Sequence, residues 1–389
     1  MALPSAAADR PAWYTDDYPE LRSAPPWVTE EMVASQPGLV APILADPRVT
    51  ELAQVILDID ESGEPIVVTG CGTSEHGAMA VADLLDAALR HRGAVGGRVE
   101  VRQALDAALD PRSGGLCIAV TESGGTRATL LAIEAARDAG AATAAITANP
   151  AGAAFSTVDV AVVTPQRDKA WCHTVAYTSA ILAGAALAAE IAEVDLAASE
   201  IAGWLAEAVT PGEAEREIAL AMRALTLLQI VGSGADRTTA RELALKIEEG
   251  ARRPAVARDL ETLLHGHFVA CGPDTGLIVI LADGRGGERR WRRAAQGMGA
   301  AARLGMPVAA ILSSEAAAIS EALTPAGRIV LPGGTDALPP LYALMGGAAA
   351  LQRLTLATVA EVGVNPDLIR REEAPYREAA ALVEDRQDW

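Results

Sequence analysis

Lysine is almost missing from this chain: of 32 basic residues only Lys169 and Lys246 are lysines, and arginine takes every other positive position. A lysine in such a sequence marks a place where the amine itself is needed. Aromatic residues are scarce too, 3% of 389 with only two phenylalanines, so alanine, leucine and valine must fill the interior. Small side chains of that kind suit helices packed closely on parallel sheets. The cysteines, Cys71, Cys117, Cys172 and Cys271, lie far apart and fit neither a disulfide framework nor the spacing of zinc ligands. No metal or other cofactor is expected. Positive charge is outweighed, with a formal net charge of −19, which excludes a nucleic-acid or anionic-membrane surface because phosphate backbones are gripped by concentrated positive charge. Any anion bound here must be held locally. No apolar run is expected to span a membrane, and the acidic start MALPSAAADRPAWYTDDYPE lacks the basic and apolar segments of a signal peptide. The chain is therefore expected to be cytoplasmic.

What is present is a rhythm. Short β runs alternate with alanine-rich helical stretches: PIVVTG, SEHGAMAVADLLDAALR, GLCIAV, TRATLLAIEAARDAG, TAAIT and VDVAVVTP. That order implies a parallel sheet covered on both faces. It then recurs, since LQIVGSGADRTTARELALKIEE answers the opening strand and helix, GLIVILADGRGG answers GLCIAVTESGGT, and PVAAILSSE answers TAAITANP. The offsets agree: 162 residues from Gly70 to Gly232, 160 from Ile118 to Ile278 and 165 from Thr143 to Val308. An internal duplication follows, giving two doubly wound, flavodoxin-like α/β domains, each with a parallel sheet of about five strands. Residues 1–45 are expected to form an arm with one helix, 46–207 the first domain, 208–360 the second, and 361–389 a helical tail. A helical stretch from about Ile181 to Glu207 separates the copies, and Pro211-Gly212 reads as a linker.

Ligands of open α/β sheets bind at the carboxyl ends of the strands. In VVTGCGTSEHGAMAVADLL, Val67 to Leu85, a buried strand breaks on two glycines around a cysteine, adds Thr73 and Ser74, and resumes as a helix. GLCIAV likewise runs into TESGGTRATLL, Thr121 to Leu131, which puts Thr121, Ser123 and Thr126 beside two glycines at a helix start. Backbone N–H groups, the positive end of the helix dipole and the hydroxyls make an anion cradle there. Hydroxyls at helix starts ordinarily serve as caps; two such loops in one domain point to a ligand instead. The equivalent turn of the second half, ADGRGGERR, has no hydroxyl and carries Asp283, so one phosphate pocket per chain is expected. In the second half Glu242, Lys246 and Glu249 fall at i, i+4 and i+7 on one helix face, with Leu243, Ala244 and Ile247 turned toward a core. The ordinary reading of such a face is a solvated charge stripe. The rare lysine argues for chemistry.

GCGTS after a strand, TESGGT about 50 residues later, then ELALKIEEG and LLHG, in order and at matching spacing, resemble the tandem SIS (sugar isomerase) domain family. The pattern is that of the isomerase half of glucosamine-6-phosphate synthase, and it runs from VASQPGLV to NPDLIR. The resemblance implies sugar-phosphate contacts from Thr73, Ser74, Ser123 and Thr126, with Thr121 in place of the usual serine. It implies an enolisation base at Glu249, with Glu242 and Lys246 at the family's other charged positions. His265, sixteen residues beyond Glu249, matches a ring-opening histidine often supplied by a neighbouring subunit, so a homodimer with its site near the interface is expected. Cys71, Gly72, His173 and Thr174 match substrate-proximal positions. Moving a hydrogen between sugar carbons needs a base near C1 and C2, a cation or donor for the enediolate, and an acid/base group for the ring oxygen. Glu249, Lys246 and His265 would supply them.

Three features depart from that pattern. A glutaminase domain is not expected ahead of the repeat, nor, with it, glutamine amidotransferase activity. The tail RREEAPYREAA sets Ala374 or its acidic neighbours where the synthase has a sugar-contacting lysine, and His267 follows the HG pair where proline is usual. The implied activity is that of a phosphosugar isomerase or aminosugar-phosphate deaminase acting on a sugar 6-phosphate through an enediol or enediolamine. The alternatives are a fructosamine-6-phosphate deglycase and a non-catalytic SIS-domain sugar-phosphate sensor. Such sensors usually carry a DNA-binding domain, and the acidic arm has no helix-turn-helix signal.

Overall fold

In the computed structural model, which describes residues 10–93, 99–334 and 338–384, the strand–helix rhythm becomes two parallel five-stranded sheets. The outer ends of the expected arm and tail, residues 1–9 and 385–389, lie outside the described residues. The arm holds two helices rather than one, α1 (Val28–Ser35) and α2 (Val40–Leu44), joined by a 3-10 turn over Gln36–Leu39. Pro37 sits at the start of that turn and has no N–H to continue the α-helical bonding, which divides the pair.

The first half then runs α3 (Pro47–Ser62), β1 (Ile66–Gly70), α4 (Thr73–His91), β2 (Val99–Gln103), α5 (Ala104–Leu109), β3 (Leu116–Thr121), α6 (Arg127–Asp138), β4 (Ala142–Thr147), α7 (Ala153–Thr157), β5 (Val160–Val163) and α8 (Val175–Ala192). Pro47 opens α3 where no intrahelical N–H is needed, and the Asp46 carboxylate caps it by accepting the Arg48 N–H at 3.0 Å. The connecting α9 (Ala198–Ala208) and α10 (Glu213–Met222) lead to the second half: β6 (Leu227–Val231), α11 (Asp236–Ala251), β7 (Ala255–Arg258), α12 (Leu260–Leu264), β8 (Thr275–Leu281), α13 (Gly287–Arg303), β9 (Val308–Leu312), β10 (Arg328–Val330) and α14 (Leu341–Val362). The tail ends in α15 (Ala374–Glu384).

The sheets have the same order, β2-β1-β3-β4-β5 and β7-β6-β8-β9-β10, with every pairing parallel. Both are doubly wound, as the duplication requires. The match extends to single residues: a Cβ on Gly70 would lie 2.6 Å from the Ser74 carbonyl, and one on Gly232 would strike the carbonyl of Asp236, again four residues on. Each glycine lets the following helix start hard against its strand.

The helical stretch expected from about Ile181 to Glu207 consists of two helices. Helix α8 begins earlier, at Val175, and stops at Glu193, which adopts the left-handed conformation (φ 55°) before α9. Helices α8 and α14 are long and apolar enough to cross a membrane, contrary to the sequence expectation, but 83% and 72% of their apolar windows are buried inside the fold. They are core helices, apolar all round because they are covered all round. Helix α8 packs on α4, α14 packs on α11, and α4 meets α11. The seam between the halves is therefore built by the helices that leave the first strand of each sheet. Asp367, fully buried after α14, accepts hydrogen bonds from the backbone of Val28 and Thr29 (2.8 and 3.0 Å) and the Thr29 hydroxyl (2.7 Å), tying the tail to the arm.

Candidate functional site

The charged face of α11 is not solvated. Leu243 and Ile247 turn into the core as expected, yet Glu242 and Lys246 are also buried, 0 and 1% exposed, against α4 of the first half. The Lys246 ammonium donates to the Thr73 hydroxyl at 2.8 Å and to Glu249 Oε2 at 2.5 Å, and lies 3.5 Å from Glu242 Oε1. Glu242 Oε2 is 2.6 Å from Nδ1 of His76, on α4. Buried charges persist only when paired. Burial alone would neutralise Lys246, but Glu242 and Glu249 hold it well above its ordinary value; burial pushes Glu242 up, and Lys246 with His76 holds it below the usual carboxylate range. Both are charged at neutral pH. The three N–H groups of Lys246 thus face three protein oxygens, which makes it a clamp rather than a free donor. Glu249 differs. Its side chain is 26% exposed, and among the described residues its Oε1 has no partner.

The first-half loops lie directly across the seam. Gly72 (φ 57°) turns the chain so that α4 starts at Thr73, whose hydroxyl accepts from Lys246 and keeps its own proton to donate. Ser74 is half-buried. In the second loop the Thr121 hydroxyl accepts the Gly124 N–H at 3.2 Å and Ser123 accepts the Gly125 N–H at 3.3 Å, while Thr126 sits exposed at the N-cap of α6 with no side-chain cap. Asn149 braces the loop from β4, its amide donating to the Ser123 carbonyl at 2.8 Å. Two helix starts and their hydroxyls therefore converge at the ends of β1 and β3, with first-turn N–H groups free of intrahelical partners. Cys71 is half-buried, 3.8 Å from the Thr129 hydroxyl, and burial raises its thiol pKa as it does that of the buried Cys172.

His265 is not brought to this cluster within one chain. It stands exposed after α12, with Nδ1 2.8 Å from the Glu261 carbonyl, and no described contact joins it to α11. Thr174 is occupied in structure: its N–H and hydroxyl go to Asp168 at 2.8 and 3.3 Å, and Asp168 also accepts the N–H groups of Val175 and Ala176 that open α8. His173 Nε2 lies 3.1 Å from the phenol of Tyr18 in the arm. His267 is 3.5 Å from Arg258. Sequence reasoning passed over Tyr18, the Glu242 contact of His76, and a pair at the loop itself, Glu122 with Arg167. Glu122 stood inside the quoted TESGGT, where the hydroxyls drew attention; Arg167 carries no local signal. In the second half the corresponding turns are filled from within: Asp283 accepts the Ala235 N–H at 3.0 Å, and Asp236 accepts those of Ala282 and Asp283 at 3.1 and 2.9 Å.

Residues 61–189 match the SIS domain family. This chain carries a SIS domain. No curated protein matches its sequence. In three dimensions it is similar to the C-terminal domain of glucosamine-fructose-6-phosphate aminotransferase from Francisella tularensis, at 16% identity and a TM-score of 0.71 over 88% of this chain and 98% of that one. It is similar as well to tagatose-6-phosphate ketose/aldose isomerase from Escherichia coli (20% identity, TM-score 0.69, 88% and 95% covered). Glucosamine-6-phosphate deaminase from Thermotoga maritima is a third (17%, 0.61, 87% and 96%). These likenesses span both halves and show a shared architecture of two SIS-like domains. The SIS domain supplies Thr73, Ser74, His76 and the second loop, whereas α11, with its charged face, comes from beyond the matched residues.

Proposed function

We propose that the chain is a phosphosugar isomerase or aminosugar-phosphate deaminase acting on a sugar 6-phosphate through an enediol or enediolamine. The observation that carries this reading is the bridge Thr73–Lys246–Glu249, which fastens the helix start of the hydroxyl-lined loop to a partly exposed carboxylate of α11. In this reading the hydroxyls of Thr73, Ser74, Ser123 and Thr126 and the helix-start amides take the phosphate. That fixes the open-chain sugar with C1 and C2 beside Glu249. Glu249 Oε1 takes the proton from C2 of an aldose or C1 of a ketose, the C–H electron pair becomes the C1=C2 bond as the carbonyl π pair moves onto its oxygen, that oxygen gains the proton the neighbouring hydroxyl gives up as its carbonyl forms, and the carboxyl returns its proton to the former carbonyl carbon. Lys246 holds Glu249 in place. The exposure of His265, with no contact to its own chain's cluster, supports its use in a partner copy's site for ring opening, in a homodimer. The similar proteins whose names specify a ketose/aldose isomerase and a deaminase support the reaction class.

Incubation with hexose, hexosamine and fructosamine 6-phosphates, following ketose/aldose exchange and free ammonia, tests the reading. Glu249→Gln is expected to keep fold and phosphosugar affinity, lose turnover by at least roughly 10²-fold, and stop solvent deuterium from washing into C1 or C2. A variant that turns over its substrate at the parent rate removes Glu249 from the mechanism.

A further inference from the structure

The hydroxyl loop carries a charge that its hydroxyls do not explain. Glu122 lies between Thr121 and Ser123, only 5% exposed, in the loop read as holding an anion. A lone carboxylate there repels a phosphate in surroundings that screen poorly. Arg167, from the segment after β5, answers it: its Nε donates to Glu122 Oε1 at 3.1 Å, and its side chain is 39% exposed. The contact is single-pronged. A fork-to-fork pair would engage a terminal nitrogen as well; here both terminal NH2 groups have no described hydrogen-bond partner, and Glu122 Oε2 is left buried without one. Glu122 lines a small cavity at the strand ends together with Ser74, Thr121, Thr147 and Thr164, so the carboxylate lies beside hydroxyls of both loops. A chain of net charge −19 repels a dianion at long range, and a guanidinium already fastened in place loses little freedom on gripping one.

Resting on the reading that this loop takes a sugar phosphate, we propose that Arg167 binds the phosphate through its terminal NH2 groups and that Glu122 is its positioning residue. The site then grips its substrate as a dianionic phosphomonoester, ionically as well as through hydroxyls and amides. Glu122 exacts a condition: without Arg167 its charge works against the ligand.

Titration calorimetry of the full chain with inorganic phosphate and with fructose 6-phosphate tests this, with melting temperature as the fold control. Arg167→Ala should weaken both probes by about tenfold or more, and Arg167→Lys should recover part of the loss. The double variant Arg167→Ala with Glu122→Gln should bind more tightly than Arg167→Ala alone, because the bare carboxylate is gone. A purely structural role for Arg167 would not produce that reversal. Parent-like binding by Arg167→Ala, or a double variant no better than the single, overturns the proposal. So does a loss that follows Arg127→Ala, at the start of α6, and not Arg167→Ala. A parent that binds neither probe removes the phosphate site itself and this proposal with it, a result independent of Arg167.

Discussion

Replacing Lys246 by methionine keeps the bulk of the side chain and deletes one buried charge. The structure sets the magnitude. Lys246 lies 3.5 Å from Glu242 Oε1, both side chains being about 1% exposed; two unit charges at that distance attract by ~5 kcal/mol at an effective dielectric of about 20. The Glu249 contact at 2.5 Å adds less, because that side chain is 26% exposed and partly screened. Breaking a buried pair by removing one partner typically costs ~3–5 kcal/mol, since the other charge stays desolvated. His76 remains beside Glu242 and offsets part of this. The cost also has a signature in pH. In the parent Glu242 is held below its ordinary value, so it contributes stability above about 4.5 that is lost as pH falls. In Lys246→Met burial dominates and raises Glu242, whose contribution is then present at low pH and lost as pH rises. The deficit should be largest near pH 8 and narrow toward pH 5. Urea unfolding followed by circular dichroism at both pH values reads it, and adding Glu242→Gln should recover more than half of the loss. Equal midpoints at pH 8, or a deficit that neither acid nor Glu242→Gln reduces, would refute the buried ion pair.

Asp236 offers a second titration test: burial, then the nearby Asp283 carboxylate, pushes it up to about 7, so it contributes stability below about 3.8 that is lost as pH rises through 7. Asp236→Asn keeps an oxygen for the Ala282 and Asp283 N–H groups and should be ~1–4 kcal/mol more stable than the parent at pH 8, with little difference at pH 4; no gain at pH 8 in urea unfolding counts against it. Replacing Ser123 and Thr126 together by alanine removes two hydroxyl donors and should raise KM for a sugar phosphate by roughly 5- to 150-fold, at ~0.5–1.5 kcal/mol each, without lowering the melting temperature. An unchanged KM excludes these residues. Arg252, left-handed at φ 57° after α11, holds Glu372 and Glu373 of the tail. Arg252→Ala should speed proteolysis between α14 and α15, and a cleavage pattern like the parent's would show that the tail is anchored elsewhere.

The sheets were legible because β-branched runs and alanine-rich periods alternate at spacings the two halves share, and Gly70 and Gly232 mark the same strand-to-helix approach in each. Contacts made at long range were not. A stripe at i, i+4 and i+7 looks the same whether it faces water or another helix; the residues that bury Glu242 and Lys246 lie 166 and 173 positions away, at His76 and Thr73. The end of α8 at Glu193 is hidden in an alanine-rich run without a glycine. Helices α8 and α14 escaped as apolar spans because Thr, Ser and Gly interrupt their leucines and alanines, holding mean hydropathy to 1.6 and 1.2. Thr174 reads as a ligand hydroxyl in the linear motif, yet Asp168, six residues earlier, takes it for the cap of α8.

The two copies explain why one chain needs both. At the offsets of the duplication, Ser74 corresponds to Asp236 (162 residues) and Ser123 to Asp283 (160 residues). Where the first half presents hydroxyls with protons to donate, the second presents carboxylates that accept the backbone N–H groups of Ala235, Ala282 and Asp283. Arg285 and Arg290 close on Asp283 at 2.9 and 3.2 Å, so the carboxylate is paired within the chain. In both halves the helix after the first strand faces the seam, and there α11 sets Glu242 and Lys246 against α4. The two lysines part company: Lys169 pairs with Glu20 at the surface, where arginine would serve as well, against the expectation from scarcity, whereas Lys246 fits one compact ammonium among Thr73, Glu242 and Glu249. Thr73 belongs to the first copy and Glu242 and Glu249 to the second, so the clamp on Lys246 is complete only when the two domains are docked.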